Sequence, residues 1–577
     1  MDRGRVARVL VDEPAIDKRF DYLVPDSFGD QVRVGDRVRI ALAGRRVGGW
    51  IVDLDVEPPA GVTLRSLTRW SGRGPTSDLL DLADWAAWRW AGRPASFLRT
   101  ASPERVVTGL PAPAPAAGSR AGTVDRLAAD ALRHPRSVVR LPPATDPSAV
   151  ALAAAALGHA LVLCPTAALA RHVADRLARA GVAVARHPQG WAQGAAGATV
   201  VGTRAAVWAP VGGLAAVVVV DEHDEAHQQE QAPTWHARDV AAERARRAGV
   251  PCVATSPVPS LEALGWGRLV TPDRAAERAG WPVVDVVDMR RQDPRTGLLP
   301  APLVRVLRSD RRVVCVLNRT GRARLLACAA CGELARCERC DANVTQPTEG
   351  GLACVRCGAV RPVVCSACGA GRLKALRQGV TRVRDEIEAL VGEPVAEVSG
   401  APTGPGAADP GTRVVVGTEA GLHQVRRADV VAFLDVDQEL LAPRYRAAEQ
   451  ALGLLARAAR LVGGKERGGR VVVQTFLPRH EVVQAALHGD PGRASEAEAT
   501  RRALLRFPPA AALAEVSGPA APAFVEALRA PPGVEVLGPA GGRWLVRAPD
   551  HDTLCDALAA TERPPGRLRV AVDPARV

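Results

Sequence analysis

Eight of the twelve cysteines fall between Cys328 and Cys368, as four Cys-x-x-Cys pairs: Cys328/Cys331, Cys337/Cys340, Cys354/Cys357 and Cys365/Cys368. Such a pair presents two thiolates on one tight turn, and a tetrahedral metal ion takes four soft donors. Eight thiolates therefore fit two zinc ions, each bound by sulfur alone. A four-cysteine site leaves no position open to water or substrate, so the expected role is structural. Spacing does not say which knuckles share an ion. Cys164, Cys252, Cys315 and Cys555 stand alone and read as core residues. The N-terminal Met1-Asp2-Arg3-Gly4-Arg5 leads into strand-like alternation rather than a secretion signal, which favours metal over disulfides and a cytoplasmic protein.

These cysteines need a scaffold, and 577 residues are too many for one core; about 100–200 residues per domain implies three to five domains. No run of about 18 apolar residues is present, so no membrane span is expected. Alternating residues 5–11 and 31–52 read as strands, and Ser77–Trp90 as a helix. The stretch 111–118, Pro-Ala-Pro-Ala-Pro-Ala-Ala-Gly, reads as linker. Beyond it, short all-apolar strands (Ala160–Leu163, Thr199–Val201, Val217–Val220) alternate with helical runs such as Ala167–Ala180. A second block carries Val313–Leu317, Val414–Val416, Val430–Leu434 and Val471–Gln474. Apolar strands separated by amphipathic helices indicate parallel sheets covered on both faces. The net charge of +13 favours an acidic polymer as partner, because each neutralised phosphate releases counterions.

Several strings stand out beside the cysteines: Phe20-Asp21-Tyr22-Leu23-Val24-Pro25, Gly35-Asp36-Arg37, Val201-Gly202-Thr203-Arg204, Val220-Asp221-Glu222-His223-Asp224 and His236-Ala237-Arg238-Asp239. Further along come Leu317-Asn318-Arg319-Thr320-Gly321 before the cysteines, Val416-Gly417-Thr418-Glu419 and Leu434-Asp435-Val436-Asp437 after them, and Phe507-Pro508-Pro509 and Val572-Asp573-Pro574 near the end. Together with the cysteine cluster they resemble one family, PriA, the primosomal protein N′ of replication restart. The resemblance implies an α/β multidomain chain: two RecA-like parallel-sheet helicase lobes, a double zinc-ribbon insertion in lobe two, an N-terminal β-rich DNA-binding domain and a small α+β C-terminal domain. The expected boundaries are 1–107, a linker at 108–122 where the family's longer members carry a winged helix, 123–281, 282–475 with the insertion at 327–369, and 476–577. It implies that Cys328, Cys331, Cys365 and Cys368 share one zinc, and Cys337, Cys340, Cys354 and Cys357 the other. It also implies that Phe20, Asp21, Tyr22, Gly35 and Arg65 hold a 3′-terminal nucleotide; an aromatic ring can stack on a base, and a carboxylate can accept from it.

The chain departs from the family where ATP should bind. A phosphate loop needs free backbone N–H groups, a lysine and a magnesium-binding hydroxyl. After Val138-Val139 the sequence instead reads Arg140-Leu141-Pro142-Pro143-Ala144-Thr145-Asp146-Pro147-Ser148, with no glycine or lysine. Each proline lacks an N–H. The only lysines are Lys18, Lys374 and Lys465. Where the family's arginine-finger motif belongs, the chain has Arg460-Leu461-Val462-Gly463-Gly464. Thr145, Pro147, Ser148, Asp221 and Glu222 thus mark a degenerate nucleotide site, and neither ATP nor Mg2+ is expected as a cofactor. The expected function is a restart and primosome-assembly protein that binds stalled forks and 3′ DNA ends without ATPase or helicase activity. Its expected partners are forked and single-stranded DNA, primosome and replicative helicase-loading proteins, and single-strand DNA-binding protein. The alternatives are an active ATP-dependent 3′-to-5′ DNA helicase with a divergent loop, and a zinc-ribbon adaptor in transcription.

Overall fold

The computed structural model describes residues 5–13, 16–57, 61–115, 125–318, 326–346, 351–354, 356–375, 380–398 and 411–577. The Arg319-Thr320-Gly321 string and positions 116–122 of the expected linker lie outside the described residues. The chain divides into two compact units. One comprises Met1–Val139, Asp146–Thr271 and Leu505–Ala575; the other comprises Arg140–Thr145, Pro272–Leu504 and Arg576–Val577.

The first unit begins with a five-stranded sheet in the order Arg19–Leu23, Val6–Val11, Arg45–Leu54, Arg37–Leu42, Arg69–Trp70. Its strands pair antiparallel. Alternation decides the faces: Val38, Ile40 and Val47 are buried while Arg39 and Arg46 are exposed. Ala43 and Gly44, both at positive φ, form the two-residue turn between the third and fourth strands in chain order, the geometry whose twist suits a hairpin. Two helices follow, Ser77–Arg89 and Pro94–Ala101.

The same unit holds a seven-stranded sheet in the order Arg268–Val270, Arg136–Arg140, Cys252–Ser256, Leu214–Val219, His159–Leu163, Thr199–Gly202, Val184–Arg186, parallel wherever pairing is described. Leu161, Val162, Val217 and Val218 are wholly buried, which is why these strands carry no polar alternation. A four-stranded antiparallel sheet (Glu535–Ala540, Arg543–Ala548, Ala512–Ser517, Arg569–Val572) with helices Ala521–Leu528 and His551–Ala560 completes the unit. One continuous core joins Leu79 and Phe97 to Trp208, Trp235, Phe524 and Leu558. At its centre Phe97 and Trp208 rings lie 5.1 Å apart, and Trp235 meets Trp208 edge-on at 5.9 Å.

The second unit is built on a six-stranded parallel sheet in the order Val283–Asp288, Arg470–Thr475, Val430–Phe433, Val313–Val316, Val414–Gly417, Val395–Val398. The cysteine-bearing segment sits between Val313–Val316 and the helix Val380–Val391. Antiparallel strands Leu326–Cys328 and Leu373–Ala375 close its base, and Val344–Thr345, Leu352–Cys354 and Val360–Arg361 form a small sheet within it. The lone cysteines Cys164, Cys252, Cys315 and Cys555 are buried.

Candidate functional site

The cysteine segment repeats one local device four times. In each knuckle the first cysteine's carbonyl accepts the N–H of the residue four positions on: Gly332, Asp341, Gly358 and Gly369, at 2.9–3.1 Å. All four of those residues adopt positive φ, the conformation that glycine enters at no steric cost and aspartate tolerates. The first cysteine's N–H is taken in turn by the carbonyl five residues on, at Glu333, Ala342, Ala359 and Ala370. The backbone therefore presets each pair of sulfurs. Amide N–H groups of Ala330, Arg339 and Arg356 point at the sulfurs of Cys328, Cys337 and Cys354 at 3.4 Å. Such donors favour the thiolate: the backbone N–H of Cys331 and Ala330 bring Cys328 down to about 6, and that of Ala359 brings Cys357 down to about 7. Against the Glu333 N–H, neighbouring sulfurs push Cys331 up to about 12, and burial pushes Cys340 up to about 12.

The structure brings the knuckles together in two tetrads, Cys328/Cys331/Cys365/Cys368 and Cys337/Cys340/Cys354/Cys357, with all sulfurs of a tetrad within 4.8 Å of one another. These are the groupings that the resemblance implies. The nearest sulfurs across knuckles are 3.5–3.6 Å apart. A tetrahedron with metal–sulfur bonds of about 2.3 Å has edges of roughly 3.8 Å, so each tetrad could hold one metal ion with little rearrangement.

In the N-terminal sheet, Phe20, Asp21 and Tyr22 share the strand Arg19–Leu23 but not one face. Tyr22 is buried in the core, its hydroxyl donating to the Ala41 carbonyl at 3.1 Å. Phe20 is half-buried on the same core. Asp21 lies on the opposite face, where Arg8 donates to both carboxylate oxygens at 2.9 and 3.2 Å. Arg65 is exposed, its carbonyl accepting from Leu23 N–H at 2.9 Å. Gly35, at φ +92°, lies so close to the Pro75 carbonyl that a Cβ would meet its oxygen at 1.7 Å. Its neighbour Asp36, part of the same string, carries no role legible from sequence alone. That buried carboxylate accepts from Arg33 N–H, Trp70 Nε1 and Arg73 Nη1 at 2.9–3.0 Å and so ties three segments of the domain together.

A family model described as the 3′ DNA-binding domain of PriA matches residues 8–103. The probable replication restart protein PriA of Mycobacterium tuberculosis is 30% identical over 629 residues, covering 98% of this chain and 92% of that protein. This chain belongs to the PriA family. PriA of Bacillus subtilis is 28% identical over a shorter span, 54% of this chain and 42% of its own length. Solved structures fit only loosely: Dbp5 of S. cerevisiae aligns over 76% of this chain and 100% of its own at 10% identity, with a TM-score of 0.38.

In this chain Ala144, Thr145 and Ser148 of the segment 140–148 already direct their N–H groups to acceptors of the chain itself. Ala144 N–H donates to the Gly280 carbonyl and Thr145 N–H to that of Pro142. The Pro143 carbonyl accepts from Arg460 Nε at 3.1 Å. Asp146 caps the next helix, Ser148–Ala155, by accepting Ser148 N–H at 2.9 Å. Although burial opposes it, Ser148 and His172 hold the Asp146 carboxyl below its ordinary value. The helix start thus already carries a negative charge supplied by the chain. Pro142, Pro143 and Pro147 have no N–H to offer.

The acidic pair of this chain is likewise built into the fold. Glu222 is wholly buried and accepts from Ser260 N–H and Ser260 Oγ at 2.8 Å and from Arg238 Nη1 at 3.2 Å. Burial pushes its carboxyl above the ordinary value, against those donors. Asp221 is buried at φ +50°. Arg238 and Ser260 gave no sequence signal as partners of Glu222, since they lie 16 and 38 residues away.

Proposed function

We propose that this PriA-family chain is a replication restart protein that recognises stalled or branched forks and 3′ DNA ends, helps assemble the primosome, and does so without hydrolysing ATP. The observation that carries the last point is the 140–148 segment. Its prolines and its Asp146-capped helix start replace the amide cradle that phosphate binding requires. The burial of Glu222 between Arg238 and Ser260 supports the same reading.

On this proposal the 1–107 domain supplies the 3′-end contacts: of Phe20, Asp21, Tyr22, Gly35 and Arg65, the partly exposed Phe20, Asp21 and Arg65 meet the terminal nucleotide, while buried Tyr22 and Gly35 hold the strand and turn that carry them, and 108–122 is a linker. The lobes 123–281 and 282–475 act as a scaffold rather than a motor, with 476–577 as the C-terminal domain. The two tetrads hold zinc as structural ions, one metal for each four thiolates. Forked DNA, helicase-loading proteins and single-strand DNA-binding protein are the partners, in the cytoplasm. Titration calorimetry of the full chain with Mg-ATP, beside a DNA-stimulated phosphate-release assay, tests the proposal. No heat and no phosphate release are expected; turnover that rises with DNA would restore an ATP-driven helicase.

A further inference from the structure

The N-terminal sheet distributes its charge unevenly. Five arginines of this domain are matched by carboxylates: Arg5 by Asp55, Arg8 by Asp21, Arg19 by Asp84, Arg73 by Asp36 and Arg99 by Asp12. Arg39, Arg46 and Arg69 are different. All three are exposed, and none has a carboxylate partner among the described residues.

They also lie on one face. Arg39 stands directly opposite Arg69 on the neighbouring strand, and opposite Gly48 on the other side. Arg46 pairs with Ala41, two residues along from Arg39, so it is Arg39's diagonal neighbour. The intervening positions Val38, Ile40 and Val47 fill the core beneath. Gly48 adds no side chain between them. Like charges directly opposite one another across a sheet are unfavourable. An anionic polymer laid across the face would relieve that repulsion.

We propose that Arg39, Arg46 and Arg69 form a phosphate track that binds the DNA backbone without regard to sequence or to the strand end, alongside the 3′-end contacts. The inference rests on the DNA-binding part of the proposed function. Phosphate contacts supply affinity and register, while selectivity comes from other groups.

The test is fluorescence anisotropy with the full chain over a series of NaCl concentrations. One probe is a labelled fork with a free 3′ hydroxyl; the other is the same fork blocked by a 3′ phosphate. For Arg39→Gln/Arg46→Gln/Arg69→Gln the slope of log affinity against log salt is expected to flatten by about 2–3, from about 0.7–0.9 per phosphate contact. Affinity should fall on both probes alike, leaving their ratio unchanged. The triple lysine variant, which keeps the charges, should retain the slope, and so should Arg99→Gln, whose charge Asp12 already matches. An unchanged slope in the glutamine variant, or a lysine variant as weak as the glutamine one, overturns the track. A loss confined to the free 3′ end assigns these arginines to end recognition and overturns it too. If the parent chain does not distinguish the two probes yet the slope still flattens, the 3′-end reading fails and the track stands.

Discussion

Arg89 and Asp573, 484 residues apart in the chain, form a largely buried ion pair with Nη2 and Oδ2 2.7 Å apart. The helix Ser77–Arg89 supplies the guanidinium, and Asp573, at φ +51°, follows the last strand, Arg569–Val572. His551 Nε2 meets the same carboxylate at 2.9 and 3.0 Å, and Cys555 Sγ donates to the Arg89 carbonyl at 3.2 Å. The pair thus joins the first and last parts of the first unit.

Breaking a buried pair from one side leaves the other charge stranded, which costs about 3–5 kcal/mol. Asp573→Ala should lower stability by that amount in urea unfolding, and Arg89→Met likewise. The Arg89→Met/Asp573→Leu double variant should lose clearly less than the two singles together, because neither charge of the pair is then left without its partner, and His551, having lost its carboxylate, can shed its proton. Additive losses would mean that the pair is not coupled.

Asp437 gives the second unit a pH dependence. It is buried and accepts from the Thr475 hydroxyl and from Phe476 N–H. Burial, with the nearby Asp435 carboxylate, pushes its carboxyl up to about 7. The folded state then holds a proton that the unfolded chain, with an ordinary value of about 4, has released. Stability is therefore expected to fall as pH rises from about 4 to about 7 and to level off above that. Asn can accept from Phe476 N–H and donate to the Thr475 hydroxyl, so Asp437→Asn should flatten this slope. Unfolding midpoints across that range decide; parallel curves for parent and variant would dismiss the assignment.

Glu222→Gln should behave as a folding variant. The Gln amide would turn N–H groups toward donors of Arg238 or Ser260, a loss of about 3 kcal/mol. Thermal melts should show it. A variant of parental stability that instead abolished an ATP turnover present in the parent would return Glu222 to catalysis.

Metal analysis of protein purified reduced and without chelator should give two zinc equivalents per chain. Cys337→Ser should lose one and keep the other, since Cys328, Cys331, Cys365 and Cys368 form a separate tetrad. Loss of both would show that the tetrads fold as one.

Asp21→Ala should weaken binding to forks with a free 3′ hydroxyl by about tenfold or more, as expected for a charge-assisted hydrogen bond of about 1.5–3 kcal/mol, and leave blunt duplex unaffected. Its partner Arg8 is 38% exposed, so the cost to folding should stay within about 1 kcal/mol. Equal losses on both DNAs would make Asp21 a structural residue.

Features that depend on neighbours within a few positions could be read from the amino-acid order. The four Cys-x-x-Cys knuckles, the apolar strands from Ala160–Leu163 to Val471–Gln474 and the prolines of 140–148 were legible because spacing, alternation and missing N–H groups act locally. The residue after each knuckle was legible in three cases, as Gly332, Gly358 and Gly369; Asp341 enters the same left-handed conformation without advertising it. Which side chains meet emerges only once the chain is folded. That Tyr22 faces the core while Asp21 faces Arg8 follows from strand pairing. The buried partners of Glu222 are Arg238 and Ser260, and Arg89 finds Asp573 across nearly the whole chain. Arg39, Arg46 and Arg69 share a face because three strands pair in one register. Such contacts depend on chain crossings that no local pattern encodes, and a desolvated charge gains its partner only when the fold brings distant segments together.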